Sequence, residues 1–118
     1  PDDLIKGKHL TRSIYLDEKV ERYIVDIVDA TRNPATAGVS EISKYLQYGA
    51  SPRATINLAL AAKANAFLEQ RGFVIPDDVR TVAMDVLRHR IGLNYEAEAD
   101  GVRPEQIIER LLQRVEVP

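Results

Sequence analysis

Few residues in this chain have a type and spacing suited to chemistry. The clearest is Arg53, in the run Gly49-Ala50-Ser51-Pro52-Arg53. Ser51 is a good N-cap, because its hydroxyl can accept from a backbone N–H that a helix start leaves unpaired. Pro52 suits the first helical position, where its missing N–H costs nothing, and it biases Ser51 toward the extended backbone that a cap needs. Arg53 then falls at the second helical position, where the helix dipole is positive and a cation is disfavoured by about 0.3–1 kcal/mol. Helix starts attract anions such as phosphate. A fixed arginine beside one therefore suggests a site for an anion brought from outside the chain. The same side chain could instead pair with a neighbouring carboxylate such as Glu41, and the sequence leaves both readings open.

Other catalytic parts are scarce. His9 and His89 are the only histidines, far apart in sequence, and no third ligand can be placed with them, so no metal site is expected. The absence of cysteine excludes disulfides, thiolate metal sites and cysteine nucleophiles, and is compatible with a cytoplasmic location. Glu96, Glu98 and Asp100 lack the spacing and glycine of a calcium loop and read as a solvated acidic run. The Gly7-Lys8 pair is not preceded by the glycine of a P-loop and is followed by His9, so P-loop nucleotide chemistry is outside this chain's reach. Arg88-His89-Arg90 reads most simply as positive charge at a helix C-terminus. Tyr23, Tyr45 and Tyr48 read as core-edge residues, although Tyr23 with Ile24 and Ile27 could line an apolar slot.

Five amphipathic segments must position these groups. Ile14-Tyr15-Leu16 is an apolar patch in an extended lead-in. Asp17 caps a first helix whose Val20, Tyr23, Ile24, Ile27 and Val28 share one face, ending near Asn33-Pro34. Residues 33–39 read as a loop. A short helix from Ser40 to Tyr48 follows, with Gly49 as its stop. The third helix runs from Pro52 to about Arg71, with Ile56, Leu60, Ala64, Phe67 and Leu68 as its stripe and further alanines widening that face; Gly72 stops it. Pro76-Asp77-Asp78 opens a fourth, with two acids complementing the dipole and Val79, Val82, Ala83, Val86 and Leu87 inward. Residues 91–95 read as extended and 96–101 as a flexible connector. Pro104 starts a last helix with Ile107, Ile108, Leu111, Leu112 and Val115.

The fold class is thus all-α: a compact bundle of about five helices with a short extended segment. The 118 residues suit one domain, divided as a lead-in over 1–16 and a helical unit over 17–118. A chain of this length buries roughly two-thirds of its unfolded surface, enough for a core without staples. No apolar run approaches the ~20 residues of a membrane span. A net charge of −2, with both signs interspersed, argues against a nucleic-acid partner.

Four strings in order carry a resemblance: IYLDEKVERYIVDIVDATRNP, GASPRATINLALAAKANAF, VIPDDV and VLRHRIGLNYEAEADG. Together they resemble the C-terminal lid domain of MoxR-family AAA+ ATPases, over nearly the whole chain from Ile14 to Pro118. The resemblance implies a helical lid beside a nucleotide-binding core, with residues 1–16 leaving that core. It places the sensor-2 arginine at Arg53, flanked by Ser51 and Pro52, reaching toward the γ-phosphate of an ATP that the core holds with Mg²⁺. It also puts the first helix, around Tyr23, Ile24 and Ile27, on the adenine side. Walker A and Walker B belong to the core and are absent here, so the chain alone should be inactive. The family further implies a homo-oligomeric ring, chaperone-like maturation of other proteins, and partners with von Willebrand A domains. Two other readings remain from the residues: a freestanding helical protein–protein adaptor, and a helix-turn-helix DNA module disfavoured by the acidic balance.

Overall fold

The computed structural model describes residues 13–118. His9, the Gly7-Lys8 pair and most of the lead-in segment lie outside the described residues. Within them, Tyr15 is extended and bridges Phe73 in parallel: its N–H donates to the Gly72 carbonyl and its carbonyl accepts from the Val74 N–H, each at 2.9 Å.

Asp17 acts as the expected cap, its carboxylate accepting from the Lys19 N–H at 3.0 Å. Helix α1 (Glu18–Arg32) buries the expected face of Val20, Tyr23, Ile24, Ile27 and Val28, and adds Ala30 and Thr31. It is the hub of the bundle, touching α2 (Arg53–Leu68), α3 (Pro76–Leu87) and α5 (Pro104–Arg114).

Residues 33–39, expected as a loop, contain a 3-10 turn at Pro34–Ala37 that closes on Gly38 at φ 74°. The helix expected over Ser40–Tyr48 is a second 3-10 turn (Ser40–Tyr45) that opens into a strand, β1 (Leu46–Tyr48). The reason is tertiary. The Asn94 side chain donates to the Lys44 carbonyl, and the Asn94 N–H donates to the Tyr45 carbonyl at 3.0 Å. Carbonyls that would have continued a helix are thereby taken, and β1 pairs antiparallel with β2 (Gly92–Leu93), Leu46 opposite Leu93 and Tyr48 opposite Gly92.

The core face of α2 differs from the expected stripe. Ala54, Leu58, Ala62 and Ala66 are buried, while Ile56, Leu60 and Leu68 are exposed. This i, i+4 row of mostly small residues lets α2 pack closely on α3, its most extensive partner. The helix also stops sooner than expected. Gln70, at φ 60°, donates its N–H to the Phe67 carbonyl, and the Arg71 N–H donates to the Ala66 carbonyl, both at 2.9 Å. These are the two bonds of a Schellman terminus, with a glutamine rather than Gly72 in the left-handed position.

Pro76 opens α3 as expected, but Asp78 does more than complement the dipole. Its fully buried carboxylate accepts from the Ile75 N–H (2.8 Å), the Asn65 amide (2.8 Å) and both terminal nitrogens of Arg71 (2.5 and 2.7 Å). Burial pushes this carboxyl up, but the Arg71, Ile75 and Asn65 bonds outweigh it and hold the group below its usual range. The expected acidic connector is a short helix, α4 (Tyr95–Ala99), capped by the Asn94 side chain accepting from the Ala97 N–H at 3.1 Å. Burial of Ala97 and a Tyr45 hydroxyl bond to Asp100 at 2.9 Å hold it against the second 3-10 turn. Helix α5 starts at Pro104 and buries Ile107, Ile108 and Leu111, with Val115 just beyond it. The result is an all-α bundle with one two-stranded ribbon. Among the described residues, no helix is long and apolar enough to cross a membrane.

Candidate functional site

Arg53 is the first residue of α2, one position earlier than expected. Pro52 already has helical angles (φ −56°, ψ −24°), and the first turn is tight: the Ala54 N–H donates to the Ser51 carbonyl at 2.9 Å and the Thr55 N–H to the Pro52 carbonyl at 3.1 Å. Among the described residues the Ser51 hydroxyl caps nothing, which corrects the expectation drawn from its type; the i→i+3 bond to the Ser51 carbonyl already engages the Ala54 N–H, one of the two that such a cap would address. Ser51, Pro52 and Arg53 are all exposed.

The guanidinium of Arg53 has no hydrogen-bond or ion-pair partner among the described residues. Glu41, the carboxylate weighed as its alternative partner, instead accepts from Arg110 at 3.2 Å. Its own backbone N–H and Arg110 hold the Glu41 carboxyl below its usual range. That internal pairing is thus taken, and Arg53 stands beside the positive end of a helix with no partner among the described residues.

The chain in front of Arg53 is tied down from two sides. Tyr48 pairs with Gly92, and its ring lies so close that a Cβ at residue 92 would come within 2.2 Å of it. Gly49 presses on the last turn of α1: a Cβ there would sit 2.2 Å from the Thr31 carbonyl oxygen and 2.7 Å from the Arg32 Cα. Gly49 is therefore required for close approach, where the sequence suggested a helix stop. Next to it, the buried Ala50 N–H donates to Thr31 Oγ1 at 2.9 Å, and that hydroxyl donates to the Val28 carbonyl at 2.6 Å. Sequence reasoning missed Thr31, a polar residue in the last turn of an otherwise amphipathic helix.

Tyr23, Ile24 and Ile27 are not gathered with Arg53. All three are core residues, at most 1% exposed. Tyr23 alone lines a shallow cleft, with Lys19, Arg22, Asp26 and residues 116–118. Its hydroxyl is buried with no partner among the described residues; burial raises its pKa, the nearby Arg80 lowers it and Asp77 raises it, for a net rise. His89 and Arg90 line a second shallow cleft with Asn57, Asp85 and Val86, one turn along α2 from Arg53. Arg88 ends α3 3.6 Å from Asp85. Among the described residues, no group of three or more His, Asp or Glu is placed to hold a metal ion.

The family model described as the AAA lid domain matches residues 40–111, from the second 3-10 turn into α5. The chain belongs to the AAA lid domain family. Over 98% of its length the lid is 39% identical to "Chaperone MoxR1" of Mycobacterium tuberculosis, and over 84% it is 37% identical to "Protein MoxR" of Paracoccus denitrificans. A crystal structure of a "putative ATPase" from Cytophaga hutchinsonii superposes with a TM-score of 0.90 at 46% identity over 93% of the lid. These similarities put the lid with those of MoxR-family AAA+ ATPases. It spans only 31% of each of those two relatives and 33% of the solved chain.

Proposed function

We propose that this lid supplies Arg53 as the sensor-2 arginine of a longer MoxR-type ATPase. The observation that carries this reading is the guanidinium at the start of α2, unpaired among the described residues, with Glu41 engaged by Arg110 and the chain before it tied to α1 and β2. The lid's residues fit one part of a nucleotide site only. Arg53 offers a cation to a phosphate oxygen, while the chain has no P-loop and its described residues no metal cluster. ATP and Mg²⁺ would be held by the core. Bound there, the nucleotide supplies the charge that builds on the phosphoryl oxygens during transfer. Phosphoryl transfer depends chiefly on positioning and on fixed charges aimed at those oxygens. A preorganised Arg53 meets both needs, and its contact with the phosphate would couple nucleotide state to lid position. The chain alone would be inactive.

The exposed row of Ile56, Leu60 and Leu68 on the helix that Arg53 begins supports a docked partner. With relatives about three times as long, the ATPase core fits that role, in preference to the freestanding adaptor reading. A ring assembly, a cytoplasmic setting and chaperone-like maturation of other proteins, including those with von Willebrand A domains, belong to the same proposal. The chaperone-like part is supported by the similarity to a relative named a chaperone. The test is Arg53→Ala in the full-length ATPase. Turnover should fall by about 10²-fold or more, roughly the worth of one lost transition-state charge contact, with the lid's melting unchanged. Turnover equal to the parent's would count against the reading.

A further inference from the structure

Helix starts are usually set by a local cap, and this one is not. The Ser51 hydroxyl, in the place of the cap, has no partner among the described residues, and the bonds from Ala54 to Ser51 and from Thr55 to Pro52 close the first turn of α2 without tying it to another element. The nearest fixed points lie outside the junction, and one of them depends on a side chain. Thr31 is 1% exposed, and its hydroxyl uses donor and acceptor capacity at once, giving to Val28 and receiving from Ala50. Ala50 is 0% exposed, and its N–H has no other acceptor among the described residues.

We infer that Thr31 is a positioning residue for Arg53, a latch that ties the last turn of α1 to the chain three residues ahead of the arginine. The inference rests on the sensor-2 reading of Arg53. Its physical content is a distance. A hydroxyl oxygen accepts the Ala50 N–H at 2.9 Å, whereas a methyl in the same place has to stand several tenths of an ångström further off and leaves a buried N–H unpaired. Gly49, already in contact with the Thr31 carbonyl, cannot move inward to compensate. The displacement therefore goes outward, into Ser51, Pro52 and the first turn of α2. An ångström of misplacement at a reacting group costs on the order of 10²-fold in rate, so a smaller shift should cost roughly ten-fold.

The experiment uses the full-length ATPase with Thr31→Val, Thr31→Ser, Arg53→Ala and the double variant. Thr31→Val should lower kcat roughly ten-fold with the KM for ATP little changed, because the nucleotide is held by the core. Thr31→Ser, which keeps the hydroxyl, should recover most of that loss. In the Arg53→Ala background Thr31→Val should cost nothing further, since the group it aims is gone. Losses that multiply in the double variant would overturn the inference, as would a wild-type kcat for Thr31→Val beside an impaired Arg53→Ala. An unimpaired Arg53→Ala would sink the sensor reading and the inference together. Should Thr31→Val fail to fold, amide exchange on the unmodified protein decides the point. The Ala50 N–H should be as protected as the core of α1, and exchange at the rate of an open loop would refute the latch.

Discussion

Replacing Asp78 with alanine removes the acceptor on which the end of α2 and the start of α3 converge. Four donors lose their partner: two guanidinium nitrogens of Arg71, the Asn65 amide and the Ile75 N–H. Breaking a buried pair by removing one member costs about 3–5 kcal/mol. The Arg71 side chain retains 25% exposure and can rehydrate, so the lower end applies, about 3 kcal/mol. Against a total stability of roughly 5–15 kcal/mol, that loss is easily measured. Urea unfolding of the 118-residue chain at pH 7, followed by circular dichroism, should show a midpoint lower by about 2 M at an m-value of about 1.5 kcal/mol/M. The pH dependence separates the ion pair from simple packing. The folded-state pKa of Asp78 is depressed, so its contribution is present above the unfolded value of about 3.9 and is lost as pH falls through the folded value. The wild-type and Asp78→Ala stabilities should therefore differ at pH 7 and converge in strong acid. A loss below about 1 kcal/mol at pH 7, or a gap that persists undiminished near pH 2, would refute the reasoning.

Two further changes probe the backbone. Gly49→Ala forces a Cβ against the Thr31 carbonyl and should cost about 2–4 kcal/mol through overpacking and the weakened Ala50 bond, read as a lower thermal midpoint. Gln70→Gly relieves a left-handed residue at the end of α2 and should raise stability by about 0.5–1 kcal/mol, the gain from removed strain exceeding the added chain entropy; a fall would show that the Gln70 side chain does more than end the helix.

Much of the architecture was legible because local signals agreed. Asp17, Asn33-Pro34, Pro76 and Pro104 mark helix boundaries by backbone chemistry alone, and α1 and α5 have a single apolar face each. The errors fall where a distant group competes for a local one. Asn94 captures the carbonyls of Lys44 and Tyr45 and turns an expected helix into a strand. The same residue caps α4, so a run read as flexible is a helix. Around Arg53, residue type pointed to the cation and its exposure, but not to what holds it: Ser51 has the chemistry of a cap and does not act as one, while Thr31, nineteen residues away from Ala50, does the tying.

Residue types and near-neighbour spacing were enough to show that the chain is helical, that it carries no P-loop, and that an arginine stands at the head of its longest described helix. Which face of α2 is inside was settled by packing against α3. Helix α2 has no single apolar face, with apolar residues spread round it, and size rather than hydrophobicity chooses the buried row: close approach to α3 admits Ala54, Ala62 and Ala66 around Leu58 and turns Ile56, Leu60 and Leu68 outward. The pairing of Glu41 with Arg110, which leaves Arg53 without a partner among the described residues, was equally hidden, because an ion pair between partners sixty-nine residues apart has no signature in local spacing.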